Sequence, residues 1–382
     1  MASTNHTENW MTAWGAEFQF VNCEHCDTAY LVPKEQSIKT CPHCGIGTLI
    51  ILDKKADQPV YTQPPEQVVP FAVSTEKINK DLHAFARSIW LKPDDLKMKR
   101  LHGRLQKIYL PLWLVDADVQ AKWQAEVGFD YEVVSHREQY KDGDWQTQRI
   151  RETKIRWEPR VGTLNRHYDN KVGPALEEHD AYAKKLGRFR TEVARPYQAE
   201  TVEKALVRLP NRSPDDAWST AEHEFRATAI DECEAATSAD HIREFKWKAH
   251  FQNHNWTQML LPIYSTYYLD DDNKAQMLFL HGQTGHLFGS KRASMKKAKK
   301  YALYIFIVAL IFGFLSSLIF LGGVFLAEEL LAIASLGFLT AVFVGILGLI
   351  PIFMALYTNH IRYIDAAQQL AKDVATLSQQ RT

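Results

Sequence analysis

The sequence predicts an α+β chain in three parts. A small four-cysteine module comes first, an antiparallel-sheet-rich middle with helices follows, and a hairpin of two long apolar helices precedes a short tail helix. Three observations carry this. Four of the five cysteines fall in two C-x-x-C pairs near the start. The middle alternates apolar and polar residues in the manner of half-buried strands. Residues 301–358 hold two apolar runs parted only by Glu328 and Glu329. The corresponding division is 1–57 for the cysteine module, 58–67 for a Pro- and Gln-containing linker, 68–290 for the sheet-rich region, 291–300 for a basic segment, 301–358 for the hairpin and 359–382 for the tail helix.

The 382 residues leave room, outside the hairpin, for one or two soluble domains of ordinary size. Lys plus Arg and Asp plus Glu number 45 each, so no global charge bias announces a nucleic-acid binder. Residues 1–15 are polar, lack an apolar signal region and are expected to fray.

The cysteine pattern is Cys23-Glu24-His25-Cys26, fourteen residues, then Cys41-Pro42-His43-Cys44-Gly45. Four thiolates at that spacing can surround one Zn²⁺ tetrahedrally, each C-x-x-C forming a tight knuckle. Stretches 18–21, 29–32 and 48–52 suit the short strands of a zinc ribbon. Cys23, Cys26, Cys41 and Cys44 complete the site, which leaves His25 and His43 as exposed knuckle residues. Such a closed site is structural, since catalytic zinc keeps an open position for water or substrate. Paired thiols of this kind also fit a reducing compartment better than a disulfide framework. Zinc ribbons bind protein or nucleic acid, and no aromatic and basic cluster inside this one selects between them.

In the middle region, 68–74 reads as a strand and 75–90 as a helix capped by Ser74 or Thr75, with Ile78, Leu82, Phe85 and Ile89 at helical spacing. A second short helix is expected over 93–105, with Asp94 and Asp95 in its first turn. Residues 108–114 form an apolar strand. A long hairpin follows, from 122–133 through the turn Lys141-Asp142-Gly143-Asp144 to 145–157. Its return strand carries Arg149, Arg151, Lys154 and Arg156 among aromatic and aliphatic residues, a surface that suits nucleic acid or anionic lipid as well as pairing with the acidic outgoing strand.

Residues 202–236 read as helix, with Cys233 as a small packing residue. Strands are expected at 243–251, 259–269 and 276–281. Leu261-Pro262-Ile263-Tyr264 echoes Leu110-Pro111-Leu112-Trp113, compatible with two related sheet halves and equally with chance. Asp270-Asp271-Asp272-Asn273 and Gly282-Gln283-Thr284-Gly285 read as turns, and no phosphate-binding glycine loop occurs.

Each apolar run between 301 and 358 exceeds the roughly 20 residues that cross about 30 Å of hydrocarbon. Lys291, Arg292, Lys296, Lys297, Lys299 and Lys300 precede the first, and His360 and Arg362 follow the second. The positive-inside rule therefore predicts two spans of a cytoplasmic membrane with both chain ends in the cytosol. Small residues at four-residue spacing, Ala309, Gly313 and Ser317 in one run and Gly337, Ala341 and Gly345 in the other, allow close packing. The tail carries an apolar stripe at Tyr363, Ala367, Leu370, Val374 and Leu377, suited to packing on the chain's own soluble part or on a partner helix.

Taken in order, the two cysteine pairs, Val69-Pro70-Phe71, Trp90 with Pro93 to Leu96, Tyr109-Leu110-Pro111-Leu112-Trp113 with Asp116-Ala117, Arg156-Trp157-x-Pro159 with Gly162, Leu261-Pro262-Ile263-Tyr264 and Gly282-Gln283-Thr284-Gly285 resemble a bacterial family of zinc-ribbon membrane proteins. Its members often carry a mistaken primosomal protein N-prime or replication-factor-Y helicase label. That label does not suit this chain, which lacks the ATP-binding loop. The resemblance implies membrane-associated partners of the phage-shock-protein-A, flotillin or band-7 and TPM-domain kinds, and a part in envelope stress assemblies. The expectation is a non-enzymatic, membrane-anchored scaffold holding one structural Zn²⁺. The alternative is a membrane-tethered nucleic-acid binder. No nucleophile and base pair stands out in the sequence, and self-association is left open.

Overall fold

In the computed structural model, residues 13–15, 17–36, 38–51, 63–141, 143–325 and 329–360 are described. The strands are β1 (Phe18–Cys23), β2 (Ala29–Pro33), β3 (Leu49–Ile51), β4 (Gln67–Val68), β5 (Gln106–Lys141), β6 (Asp144–Gly173), β7 (Arg195–Pro196), β8 (Leu206–Arg208), β9 (His241–Leu269), β10 (Ala275–His281) and β11 (Leu287–Gly289). The helices are α1 (Thr75–Arg87), α2 (Met98–Gly103), α3 (His179–Leu186), α4 (Ala199–Val202), α5 (Pro214–Thr237), α6 (Met295–Phe325) and α7 (Glu329–Leu347). The mixed α+β character, the large sheet and the two apolar C-terminal helices agree with the sequence reading. Of the expected linker and tail, 58–62 and 361–382 lie outside the described residues.

One sheet joins every strand, in the order β11-β10-β9-β5-β8-β2-β1-β3, with β6 on β5 and β4 bridging β9 and β7. Two strands organise it. β5 runs unbroken through what the sequence suggested were separate strands at 108–114 and 122–133, and β9 likewise absorbs 243–251 and 259–269. They pair antiparallel from Gln106↔Ser265 out to Gly128↔His241, with irregularities between Asp116 and Asp118 and between Gln124 and Glu126. Extra residues at such points bend the strand without ending it. The two echoed tetrapeptides meet at only one pair of this ladder, Leu110 opposite Leu261, and run off from it in opposite directions, with Tyr109 opposite Pro262 and Pro111 opposite Leu260.

Near this crossing the apolar side chains of Ile108, Leu110, Leu112, Leu261 and Ile263 share one buried cluster with Val21, Tyr30, Val32 and Leu49 of the cysteine module. The module is thus part of the sheet's core, joined through β2 and β8 at Tyr30↔Arg208 and Leu31↔Val207. Ahead of it Trp14, from the segment expected to fray, is buried edge-on against Phe18 and Tyr197, whose hydroxyl donates to the Trp14 carbonyl at 2.8 Å.

Beyond Gly128 and His241 only β5 and β6 continue, closing at the turn where Gly143 takes a φ of 88°. Thirteen residues of β5, from Phe129 to Lys141, extend this two-stranded arm by about 40 Å at strand rise. Nearer the body the three strands β6-β5-β9 carry α5 on one face. Ala221 and Phe225 bury against Val115, Ala117, Val119 and Ala121, while Cys233 packs with Ala125 and Phe245.

The expected helix over 202–236 divides. Leu206, Val207 and Arg208 are all buried between β2 and β5, which forces them into a strand. The long helix starts only after Pro210, with Ser213 as its N-cap accepting from the Asp216 amide. Residues 69–74 are extended but unladdered, because Val69, Ala72 and Val73 donate to carbonyls of Leu260 and Gly282 in two different segments. The helix expected over 93–105 is shortened to α2. Asp95 is instead turned inward, where its carboxylate accepts from Arg100, Arg104 and the Leu269 amide.

Both α6 and the segment 331–360 are long and apolar enough to cross a membrane, and most of their side chains face outward. They pack on each other through small residues. A side chain placed at Gly345 would touch Ala309, one at Gly313 would touch Ala341, and one at Gly337 would collide with Ser316. Ser316 rather than Ser317 occupies that closest approach. The second helix breaks at Gly348–Leu349 and resumes over 350–360, as expected where Pro351 removes a backbone donor.

Burial opposes ionisation of Asp95, but the bonds from Arg104, Leu269 and Arg100 outweigh it and lower its pKa from 3.8 to about 2. Because the folded value is the lower one, its contribution to stability is complete above pH 4 and disappears as the pH falls towards 2. Asp95→Asn is expected to cost about 2 kcal/mol at neutral pH. Thermal unfolding of the detergent-solubilised chain should show parent and variant converging as the pH falls towards 2.

Candidate metal centre

The two knuckles follow β1 and precede β3, and strand pairing alone brings them together. Cys23 closes β1 opposite Leu49, and the bridge Thr40↔Thr48 closes the second loop. All four sulfurs lie within 4.8 Å of one another. Cys23 and Cys44 are 3.7 Å apart, as are Cys26 and Cys41. A disulfide would need about 2.05 Å, so these are free thiols held as a cluster. A tetrahedron with thiolate–zinc bonds of about 2.3 Å has edges of about 3.8 Å, which the spacing matches.

Backbone amides also point at sulfur, His25 to Cys23, His43 to Cys41 and Gly47 to Cys44, at 3.3–3.4 Å. Such bonds stabilise thiolates. Gly47 is required by space, since a β-carbon there would sit 2.3 Å from the Cys23 sulfur. Burial pushes the Cys41 thiol well above its ordinary range, so binding a cation there must displace a proton. The four thiols can hold one metal ion. As they supply all four corners, the residues fit a closed tetrahedral site.

Around this cluster the structure assembles residues that the sequence left unconnected. Arg208, its side chain only 3% exposed, donates to both oxygens of Glu178 at 2.9–3.0 Å and to the Tyr182 hydroxyl at 3.4 Å. Tyr182 contacts His43 Nδ1 at 3.2 Å, and the Tyr30 hydroxyl lies 3.9 Å from the Cys41 sulfur. His25 is exposed as expected, whereas His43 is half-buried against α3. Burial, with the nearby charge of Arg208, lowers the His43 pKa. An arginine in the apolar run Ala205-Leu206-Val207-Arg208-Leu209 was the available signal for a buried cation; its partners, some 30 residues distant, were not legible.

The other candidate residues are dispersed. Strand alternation puts Arg149 and Arg151 on the arm face that carries Tyr140 and Trp145, and Lys154 and Arg156 on the opposite face with Phe129 and Tyr131. Arg151 lies 3.9 Å from Glu132, and Arg156 pairs with Glu158 at 3.1 Å and sits over the Phe129 ring. They do not form one basic surface. The basic segment 291–300, which runs into the first turns of α6, is tied to the body: Lys291 lies over Phe85, the Arg292 amide donates to the Tyr268 hydroxyl, the Lys296 amide donates to Asp271 and Lys297 pairs with Asp94 at 2.8 Å, while Lys300 lies over Tyr304 of its own helix. Lys299 is exposed. No family model, curated protein or solved structure matches the chain.

Cys41→Ser is expected to abolish retained metal and to open the module to proteolysis, read as metal content per chain and as protection of the segment around Cys44. Arg208→Gln leaves Glu178 with only His43, 3.8 Å away, as a partner and is expected to cost about 3 kcal/mol. It should keep the metal stoichiometry of the parent while accelerating its loss to a chelator.

Proposed function

We propose that the protein is a non-enzymatic scaffold anchored in a cytoplasmic membrane by its apolar hairpin, with the sheet body and both chain ends on the cytosolic side. The basic residues ahead of the first apolar run support this sidedness. One zinc ion in the four-cysteine site is structural in this reading, locking the module into the core it shares with β5 and β9.

The observation that carries the proposal is the arm. A two-stranded ribbon is marginal in water by itself, yet this one extends well past the third strand and ends in an exposed aromatic pair, Tyr140 and Trp145, with ring centroids 5.4 Å apart. Trp145 is 66% exposed. An aromatic tip ringed by polar residues has the composition of a protein-binding hot spot. The partners are membrane-associated proteins, of which the phage-shock, flotillin or band-7 and TPM-domain kinds are those the resemblance implies. Distribution of the arm's basic residues over two faces weighs against the nucleic-acid reading.

The test is purification of the full chain from native membranes in mild detergent, parent beside Tyr140→Ala/Trp145→Ala. Partner proteins recovered with the parent and reduced at least tenfold with the variant are the expected result, the tip pair supplying about 2 kcal/mol or more. Nuclease-sensitive nucleic acid with no protein partner would overturn it.

A further inference from the structure

Residues 88–97, most of which the sequence reading assigned to two helices, form the loop joining α1 to α2. In the structure it abuts the start of α6. Leu91 is buried against Ala298 of α6 and Ala355 of the returning helix, and its carbonyl accepts from the Ser294 amide at 2.6 Å. Lys297 donates to the Lys92 carbonyl at 2.7 Å and pairs with Asp94. The loop alternates: Leu91, Pro93, Asp95 and Leu96 are buried and hold it, while Trp90, Lys92, Asp94 and Lys97 face outward. Trp90 is 63% exposed despite neighbours, Ile89 and Leu91, that are almost fully buried.

The level at which this loop meets the helices is marked independently. Tyr301 and Tyr304 lie one to two turns after Ala298, and Tyr357 lies two residues after Ala355; all three are exposed. Tyrosine and tryptophan concentrate where hydrocarbon gives way to headgroups. The same level is cationic, since Lys97 joins the α6 lysines around Asp94, whose carboxyl is held below its usual range by the bond from Lys297, with Lys97 and Lys300 adding their charge, and Lys92 is exposed on the same loop. Two acids there are engaged, Asp94 by Lys297, and Asp271 by the Ser294 hydroxyl and the Lys296 amide, while Asp272 beside them is exposed.

We infer that residues 88–97 are a third membrane-contacting element, with Trp90 seated at the boundary of headgroups and acyl chains and Lys92 and Lys97 joining the α6 lysines on the phosphates of anionic glycerophospholipids. The inference rests on the membrane-anchor reading above. It adds a lipid-binding surface built from two segments some 200 residues apart, and it fixes how the sheet body meets the bilayer.

The experiment places the full chain in nanodiscs of equal parts phosphatidylcholine and phosphatidylglycerol, the phosphatidylcholine brominated near the glycerol end of its chains. Among the described residues the other tryptophans lie in the cysteine module, the sheet, its arm or α5, so lipid-borne bromine should quench Trp90 selectively. The expected result is a quenched component that disappears in Trp90→Phe. Phosphatidylglycerol retained by the detergent-solubilised chain should also fall by about twofold or more in Lys92→Gln/Lys97→Gln. Equal quenching of parent and Trp90→Phe, or none in either, would overturn the placement of Trp90. Unchanged phosphatidylglycerol would overturn the role of the lysines. Extraction of the chain from native membranes by alkaline carbonate would instead show that the anchor reading itself is wrong.

Discussion

The antiparallel pairing of β5 with β9 is the constraint on which the rest of the molecule depends. Around Leu110 and Leu261 the two strands are flanked by β8, β4 and β10, so the sheet's side chains bury on both faces there. The cysteine module reaches this crossing through β2 and β8. The α1–α2 pair reaches it through Tyr264 and Tyr268, which share a core with Ile78, Leu82, Phe85 and Leu101. Sliding either strand by one residue would turn every one of these side chains to the other face. Both prolines of the crossing and the tight approach of Gly282 to the Pro262 carbonyl help to forbid such slippage.

The four-thiol cluster and the Arg208 network are two fastenings of a single joint. The four thiols close the loops of the module, while Arg208, at the end of β8, holds Glu178 and Tyr182 and so brings α3 down over His43. A buried cation with a half-exposed acid contributes specificity more than stability, because desolvation offsets much of the attraction. Its effect here is positional: the helix and the second knuckle have one arrangement in which Glu178, Tyr182 and His43 are all satisfied.

Local chemistry was legible in the sequence; long-range burial was not. The C-x-x-C spacing announced the thiol cluster, Ser74 and Thr75 announced a cap for α1, which Ser74 supplies, and uninterrupted apolar runs announced the C-terminal helices. By contrast, Leu206 to Arg208 looked helical because the charged segment around it does, and only the gap between β2 and β5 makes a strand of it. The interruptions that suggested separate strands in β5 and β9 are irregularities that a continuous ladder absorbs. Asp94 and Asp95 looked like a helix start, yet Asp95 is drawn inward by Arg104 and the Leu269 amide, partners that no local pattern displays. The faces of Arg149, Arg151, Lys154 and Arg156 could have been read from strand parity alone.

The N-terminus of α6 is capped by Asp271, only two residues past the end of β9. β9 therefore spans from the base of the arm to a turn hydrogen-bonded to the first turn of an apolar helix, although β10, β11 and residues 290–294 separate the two along the chain. Mechanically this is a strut: axial load applied at the far end is carried by many ladder bonds in shear, and little of it is dissipated before Asp271. Its ladder with β5 is irregular at two places, beside Asp116–Asp118 and Gln124–Glu126, where Asn253 and Glu244 adopt positive φ. Both irregularities lie under α5, whose Ala221, Phe225 and Cys233 pack on the stretch from Val115 to Ala125, so a helix braces the strut where its ladder is least regular.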